Sequence, residues 1–312
     1  MDSASPLDTA FFLTWLAAAV RLAGPVLMAS LGEIFAERSG VLNIGIEGAV
    51  LLGALGSYLT AVYSGSTVLG FLAGGISGMI VGLPLAFLYV RARASQVVVG
   101  IVFNILAGGI ASYVYELILG HDSSPTIQML EPVHLPLLSD LPGLGPILFR
   151  QPLPLYLTLL LVGVAQIVLF RTRFGLSLRA VGENPRAAHA AGIHVLRMRT
   201  IGVLLSCGTA GLAGGYLVTA QIGLFRDNIV SGQGFIALAI VIFGRWSPVK
   251  AMVAAFVFGA ADALQLSLQL FQSAVPAQLL LALPYLLTIL AMSGLVGKAV
   301  QPGALTIPYQ KE

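Results

Sequence analysis

Apolar runs of about 20 residues, long enough for a helix to cross a bilayer, recur along almost the whole chain, with charges mostly at their ends. The charge content explains why no soluble domain fits. Only 9% of the 312 residues are charged and 57% are hydrophobic, whereas a soluble domain carries about a quarter charged residues. The expected fold is all-α, a polytopic transmembrane helical bundle of about eight to ten spans forming a single transmembrane domain over 1–312. Candidate spans are 10–31, 43–63, 68–90, 96–119, 153–170, 200–221, 235–245, 249–271 and 277–297. The run 235–245 is too short: at about 1.5 Å per residue it covers half of a hydrocarbon core about 30 Å thick. It reads as a broken or re-entrant helix, tolerable only where protein or a cavity surrounds it.

Lys and Arg accumulate in cytoplasmic loops. Arg91/Arg93, Arg171/Arg173 and Arg245/Lys250 fall at alternate span ends, and Lys298 and Lys311 follow the last span. These positions predict an outer N-terminus, an inner C-terminus, an outer loop over 120–152 and a cytoplasmic connector over 171–199. Arg21 falls inside the first span and needs a partner or water. The first residues hold Asp2 and Asp8 but no Lys or Arg, so a cleaved secretory signal is not expected. The single cysteine, Cys207, cannot form an internal disulfide and reads as a small core residue.

Small residues recur at every fourth position in two consecutive spans: Gly45, Ala49, Gly53 and Ser57, then Gly70, Gly74, Gly78 and Gly82. Such ridges let helix backbones approach closely in lipid.

Several chemistries lack their residues. There is no complete phosphate-binding loop; "GLVGKA" at 294–299 has the Gly-Lys pair without the outer glycine or the Ser/Thr. No H-E-x-x-H occurs, and His121, His134, His189 and His194 lack metal-ligand spacing. No G-x-S-x-G elbow is present. An enzyme is therefore not expected, and neither is a nucleic-acid partner.

Polar residues at membrane depth are costly and mark pathways or interhelical bonds. Asp262, Gln265 and Gln269 fall on one helical face of "AADALQLSLQLFQ". Asn104 and Glu116 are the strongly polar groups of the fourth run, and Asn43 and Glu47 stand beside glycines. Arg226, Asp227, Asn228 and Gln233 precede or open the half-length helix. Asn104, Asn228, Gln233, Asp262, Gln265 and Gln269 are the candidate substrate-path residues. Amides with few charges fit a neutral polar ligand rich in hydroxyls or ring nitrogens.

The connector contains "VGENPRAAHAAGIHV". Asn184 suits an N-cap, Pro185 the first helical position and Gly192 the residue past a helix end. This predicts a short helix from Pro185 to Ala191, too short to stand alone in water.

"LGEIFAERSGVLNIGIEGAVLLGA", "GENPRAAHAAGI" and "GFIALAIVIFGRWSP" occur in that order. Together they resemble the permease subunits of bacterial ABC importers of the branched-chain amino acid and simple-sugar family, and most of all the nucleoside-uptake branch. The likeness covers about 30–300. It implies that 175–195 carries the coupling helix that docks on a cytoplasmic ABC ATPase, with Gly182, Glu183, Asn184, Pro185 and Arg186 in coupling roles. It also implies gating or architectural positions at Glu37, Asn43 and Glu47. Further implications are a second, different permease and an extracytoplasmic substrate-binding protein or lipoprotein. No cofactor is expected on this chain, since ATP and Mg are used by the partner ATPase. The location implied is the bacterial plasma membrane.

The function expected is inward passage of a neutral polar solute, a purine nucleoside or else a simple sugar, by alternating access. An ion-coupled secondary transporter, with Glu47 and Asp262 as coupling carboxylates, and a non-transporting scaffold remain open alternatives.

Overall fold

The computed structural model of the chain describes residues 9–120, 125–134, 143–270 and 300–310, with isolated positions from 136 to 141 and from 282 to 289. The described residues form α1 (Thr9–Arg38), α2 (Ile46–Ser64), α3 (Thr67–Ala86), α4 (Gln96–Leu119), β1 (Pro132–His134), β2 (Arg150–Pro152), α5 (Leu153–Arg171), α6 (Arg173–Glu183), α7 (Pro185–Ala190), α8 (Val195–Tyr216), α9 (Gln233–Phe243) and α10 (Pro248–Leu270). Wider π turns extend α3 over Phe87–Arg91 and α8 over Leu217–Ile222. Seven of these helices are long and apolar enough to cross a membrane, and α9 is apolar but short. The chain is a polytopic all-α membrane bundle. The last expected span, 277–297, and the charges Lys298 and Lys311 lie outside the described residues.

Two boundaries differ from expectation. The first span does not stop at residue 31: α1 runs 30 residues to Arg38, because "EIFAER" keeps helix-forming side chains and its carboxylates find partners inside the protein. The second begins at Ile46 rather than 43, so Asn43 and Gly45 belong to a non-helical link and Glu47 to the first turn of α2. The connector is also more helical than expected. After α5 ends at Arg171, Thr172 caps α6, its hydroxyl accepting from Gly175 N at 3.2 Å.

The core divides into two clusters. One joins α2, α3, α8 and the inner side of α4 around Tyr58, Tyr89, Tyr216 and Phe225. The other joins α1, α5, α9 and α10 around Leu27, Ile34, Leu169 and Phe258. Side chains of α1 and α9 enter both clusters. The indole of Trp15 on α1 donates to the Ala260 carbonyl of α10 at 3.0 Å.

Both small-residue ridges are used, and α8 supplies a third. A Cβ at Gly53 or Gly74 would strike the backbone of Gly211, and one at Gly78 would strike the Cys207 carbonyl. Gly82 faces the Cys207 side chain. Backbone-on-backbone contact at this seam supplies dispersion and weak Cα–H···O attraction, which drive association where lipid removes the hydrophobic incentive.

Arginines gather at one end of the bundle. Arg38 reaches the Arg245 carbonyl at 3.4 Å, Arg38 and Arg179 flank the Phe170 ring, and Arg91 and Arg197 share a groove. The opposite end holds the β1–β2 hairpin, antiparallel with Val133 opposite Gln151. Arg21, which lacked a partner in the sequence, has an exposed side chain, and its carbonyl accepts from the Gln221 amide at 2.9 Å.

Gly211→Leu should lower stability by about 1–3 kcal/mol or more through overpacking. Gly163→Ala, at a site with open space, should be neutral or stabilising by up to about 1 kcal/mol. Thermal unfolding of the detergent-solubilised protein checks both, and equal melting points would contradict the backbone-contact seam.

Candidate functional site: a half-length helix clamped at both ends

The link between α1 and α2 leaves helical geometry inside the bundle, and side chains from two helices, α1 and α4, satisfy backbone groups of the link and of the start of α2. Gln96 Oε1 accepts from Leu42 N at 2.8 Å. Glu33 Oε1 accepts from Asn43 N at 2.9 Å. Asn104 donates to the Ile44 carbonyl and accepts from Gly48 N, both at 2.9 Å. Hydrocarbon offers nothing to an exposed amide, so each bond replaces one that water would otherwise make.

Asn43 is the hub of this link. Its Nδ2 donates to Ser206 Oγ at 2.9 Å and contacts Cys207 Sγ at 3.3 Å. Its Oδ1 lies 3.4 Å from the Tyr89 hydroxyl. Ser206 Oγ in turn donates to Glu33 Oε2 at 2.5 Å. Glu33, Asn43 and Ser206 are fully buried. The sequence reading singled out Asn43 but not Glu33 or Ser206. The signal available was Glu33 one helical turn before Glu37, once α1 is extended to Arg38.

α9 begins in mid-bundle, and Glu47 completes its N-terminus from outside. Glu47 Oε1 accepts from Gly232 N at 2.8 Å and Oε2 from Gly234 N at 2.7 Å. A carboxylate there meets the free N–H groups and positive end of the helix dipole. Gly234 is required: a Cβ would lie 2.7 Å from the Glu47 Cα.

The other end of α9 is held by α1. Trp246 Nε1 donates to Glu37 Oε2 at 2.6 Å. Arg38 Nε donates to the Trp246 carbonyl at 3.2 Å, placing a cation at the negative end of the helix dipole. The turn itself is strained, since Arg245 and Trp246 take φ +49° and +54°, the left-handed region that β-carbons disfavour.

The half-length run does not turn back; it completes a crossing. At the hairpin end, Ile127 N donates to the Gly223 carbonyl at 2.9 Å. Phe225 packs at a tilt against buried Tyr58 and half-buried Tyr115, ring centroids 6.1 and 5.4 Å from its own. The chain descends from there to Glu47 in non-helical form, and α9 carries it to Glu37 and Arg38 at the arginine end.

The candidate path residues do not form one cluster. Asn104 has both ends of its amide committed to the α1–α2 link. Asn228 is exposed in the non-helical half, where its carbonyl accepts from Ser231 Oγ at 2.6 Å. Gln233 opens α9, and its Oε1 is buried without a hydrogen bond among the described residues. On α10, Gln265 is buried, Asp262 half-buried and Gln269 exposed. Beside α9, Glu37, Leu42, Ile44, Phe235, Leu238 and Trp246 line an open cavity of about 550 Å³, within the range of small-molecule sites.

The connector helix forms as the sequence predicts. α7 spans Pro185–Ala190, and Asn184 Oδ1 accepts from Ala187 N at 3.0 Å. Gly192 adopts φ +83° just beyond its end. Ala188 is buried beside Val181, Val195 and Tyr309, while Arg186, Ala187, His189 and Ala190 are exposed. Gly182 packs on the Arg38 carbonyl and the Gly40 amide, so the connector bears on the residue that holds α9. The C-terminal segment ties these parts together: Ala304 N donates to the Gly182 carbonyl at 2.8 Å and Thr306 N to the Gly40 carbonyl at 3.2 Å. Glu183 Oε2 accepts from Gly303 N at 3.2 Å, and Arg199 Nη1 donates to the Ile307 carbonyl at 2.8 Å.

A bundle with a broken crossing, an open cavity beside it and a short capped helix at its basic end has the build of a membrane transport component. Residues 15–292 match the family described as branched-chain amino acid transport system / permease component. The chain belongs to this family and is the permease component of an ABC transport system. It is 40% identical over 304 residues to the guanosine ABC transporter permease protein NupQ of Bacillus subtilis, covering 93% of this chain and 94% of the relative. The nucleoside ABC transporter permease protein NupC of Lactococcus lactis is 36% identical over 296 residues, covering 92% and 93%. A Haloferax volcanii protein provisionally named as a glucose ABC transporter permease is 34% identical over 325 residues, covering 95% and 97%. No solved structure matches the chain.

Glu47→Ala removes two charge-assisted bonds, each worth about 1.5–3 kcal/mol. It should raise amide hydrogen exchange across 232–236 by at least about tenfold, with Glu47→Gln intermediate. Exchange unchanged in Glu47→Ala would show that Glu47 does not hold α9.

Proposed function

We propose that this chain is one of two different permease subunits of a bacterial importer that carries a purine nucleoside inward across the plasma membrane. The arginine-rich end faces the cytoplasm, where α7 docks on an ATPase, and 120–152 faces a substrate-binding protein outside. The identity to the two nucleoside-transporter relatives over nearly their whole length carries this reading. A simple sugar is the second reading, favoured by the glucose-named relative.

The contacts support a mechanical route. ATP-driven closure of the ATPase pair displaces α7. Gly182 pushes on the Arg38 carbonyl, and Arg38 and Glu37 move the end of α9 that they hold. Glu47 keeps the other end in place as a pivot, so α9 swings. Glu37, Asn43 and Glu47 then act as gating and architectural residues. Asn228, Gln233, Asp262, Gln265 and Gln269 serve the path or the helix contacts beside it. Asn104 instead braces the link. Gly182, Glu183, Asn184, Pro185 and Arg186 form the coupling segment.

Uptake of labelled guanosine should fall to background in cells lacking this gene and resist competition by ribose or glucose. Unchanged guanosine uptake, with loss of sugar uptake, would move the assignment to the sugar reading. Asn184→Ala with Pro185→Gly removes the α7 cap. This double variant should insert normally yet recover several-fold less ATPase on co-purification. Wild-type recovery would remove the coupling role from α7.

A further inference from the structure

A second groove, of about 440 Å³, opens at the arginine end between the last turn of α3, the first turns of α8, α7 and the C-terminal segment. Its lining is two-sided. Arg91, Arg197, His189, His194, Thr200 and Tyr309 supply donors, while Val195, Leu196 and Ile201 form an apolar wall. Neither Arg91 nor Arg197 has a carboxylate partner among the described residues. The free N–H groups of the 22-residue α8 open beside them. We propose that this groove binds the headgroup of an anionic phospholipid from the cytoplasmic leaflet, an assignment of leaflet that rests on the orientation proposed above.

Charge and shape both favour a lipid over a soluble anion. Two guanidinium groups suit a phosphodiester, which they can bind through paired N–H donors. The groove also continues into apolar surface that a soluble anion does not use but acyl chains do. Leu72, Ile76, Ile80, Leu83 and Phe87 are 51–61% exposed along the outer face of α3, and Arg91 follows Phe87 by one turn. Acyl chains lying on that stripe bring their phosphate to the two arginines. Basic pockets at the inner ends of transmembrane helices collect anionic headgroups in this way. A bound headgroup also touches His189 of α7 and Tyr309, whose rings lie 6.1 Å apart. It therefore braces the coupling helix against α3 and α8.

The test uses the complete transporter, purified and placed in nanodiscs of equal phosphatidylglycerol and phosphatidylcholine. Lipid retained through native mass spectrometry is counted, a readout that does not depend on which solute is carried. The wild type should retain phosphatidylglycerol preferentially. Arg91→Gln with Arg197→Gln should weaken that preference about tenfold. Arg171→Gln, another exposed cation at a span end, should leave it unchanged, and Arg91→Lys with Arg197→Lys should preserve most of it. Excess inorganic phosphate should not displace the lipid. Equal retention by the Gln double variant would overturn the proposal. So would displacement by phosphate, or loss of the ATPase subunit with lipid retention intact, since that would mark the groove as a protein contact.

Discussion

A backbone that leaves helical geometry inside hydrocarbon must find every hydrogen-bond partner within the protein, and this chain does so at two neighbouring places. The Glu47 carboxylate joins them. It stands in the first turn of α2, at the end of the non-helical α1–α2 link, and it accepts the free amides that begin α9. Remove that acceptor and the N–H groups of half-buried Gly232 and buried Gly234 lose their carboxylate partner. The cost is then the full desolvation of those groups rather than the modest net worth of a bond. The glycines around it follow from the same geometry: Gly234 has no side chain because the Glu47 backbone occupies the space.

The clamp grips both ends of α9, while its middle packs into the core. Eleven residues of helix give about 16 Å of rigid rod. A carboxylate holds one end, and an indole–carboxylate bond and an arginine hold the other. Both ends answer to the segment 33–47, and that segment answers at Gly182 to the connector. In the proposed route, a displacement of the connector reaches mid-bundle through these contacts. The strained turn at Arg245 and Trp246 sits at the end held by Glu37 and Arg38.

Much of this was legible beforehand, for a physical reason. Span positions follow from hydropathy because lipid allows little else, and all seven long crossings fall near their apolar runs. The α7 cap was legible because Asn184, Pro185 and Gly192 act on their own neighbours in sequence. The small-residue ridges of α2 and α3 were visible as a period of four. Their partner on α8, at Cys207, Gly211 and Gly215, has the same period but went unread among the many glycines.

Pairing across the sequence was not legible. Nothing local tells that Glu47 meets an amide 187 residues away, or that Glu37 meets an indole 209 residues away. Nor does periodicity separate Asn104, spent on backbone, from Gln233, whose buried carbonyl oxygen has no partner among the described residues. The sequence by itself determined the class, the crossings and the capped connector helix, because membrane solvation and local capping act within a few residues. Only the tertiary structure decided that the half-length helix completes a crossing and which carboxylates grip it. Those outcomes depend on which distant backbone amides come to lie beside which acids once the helices have packed.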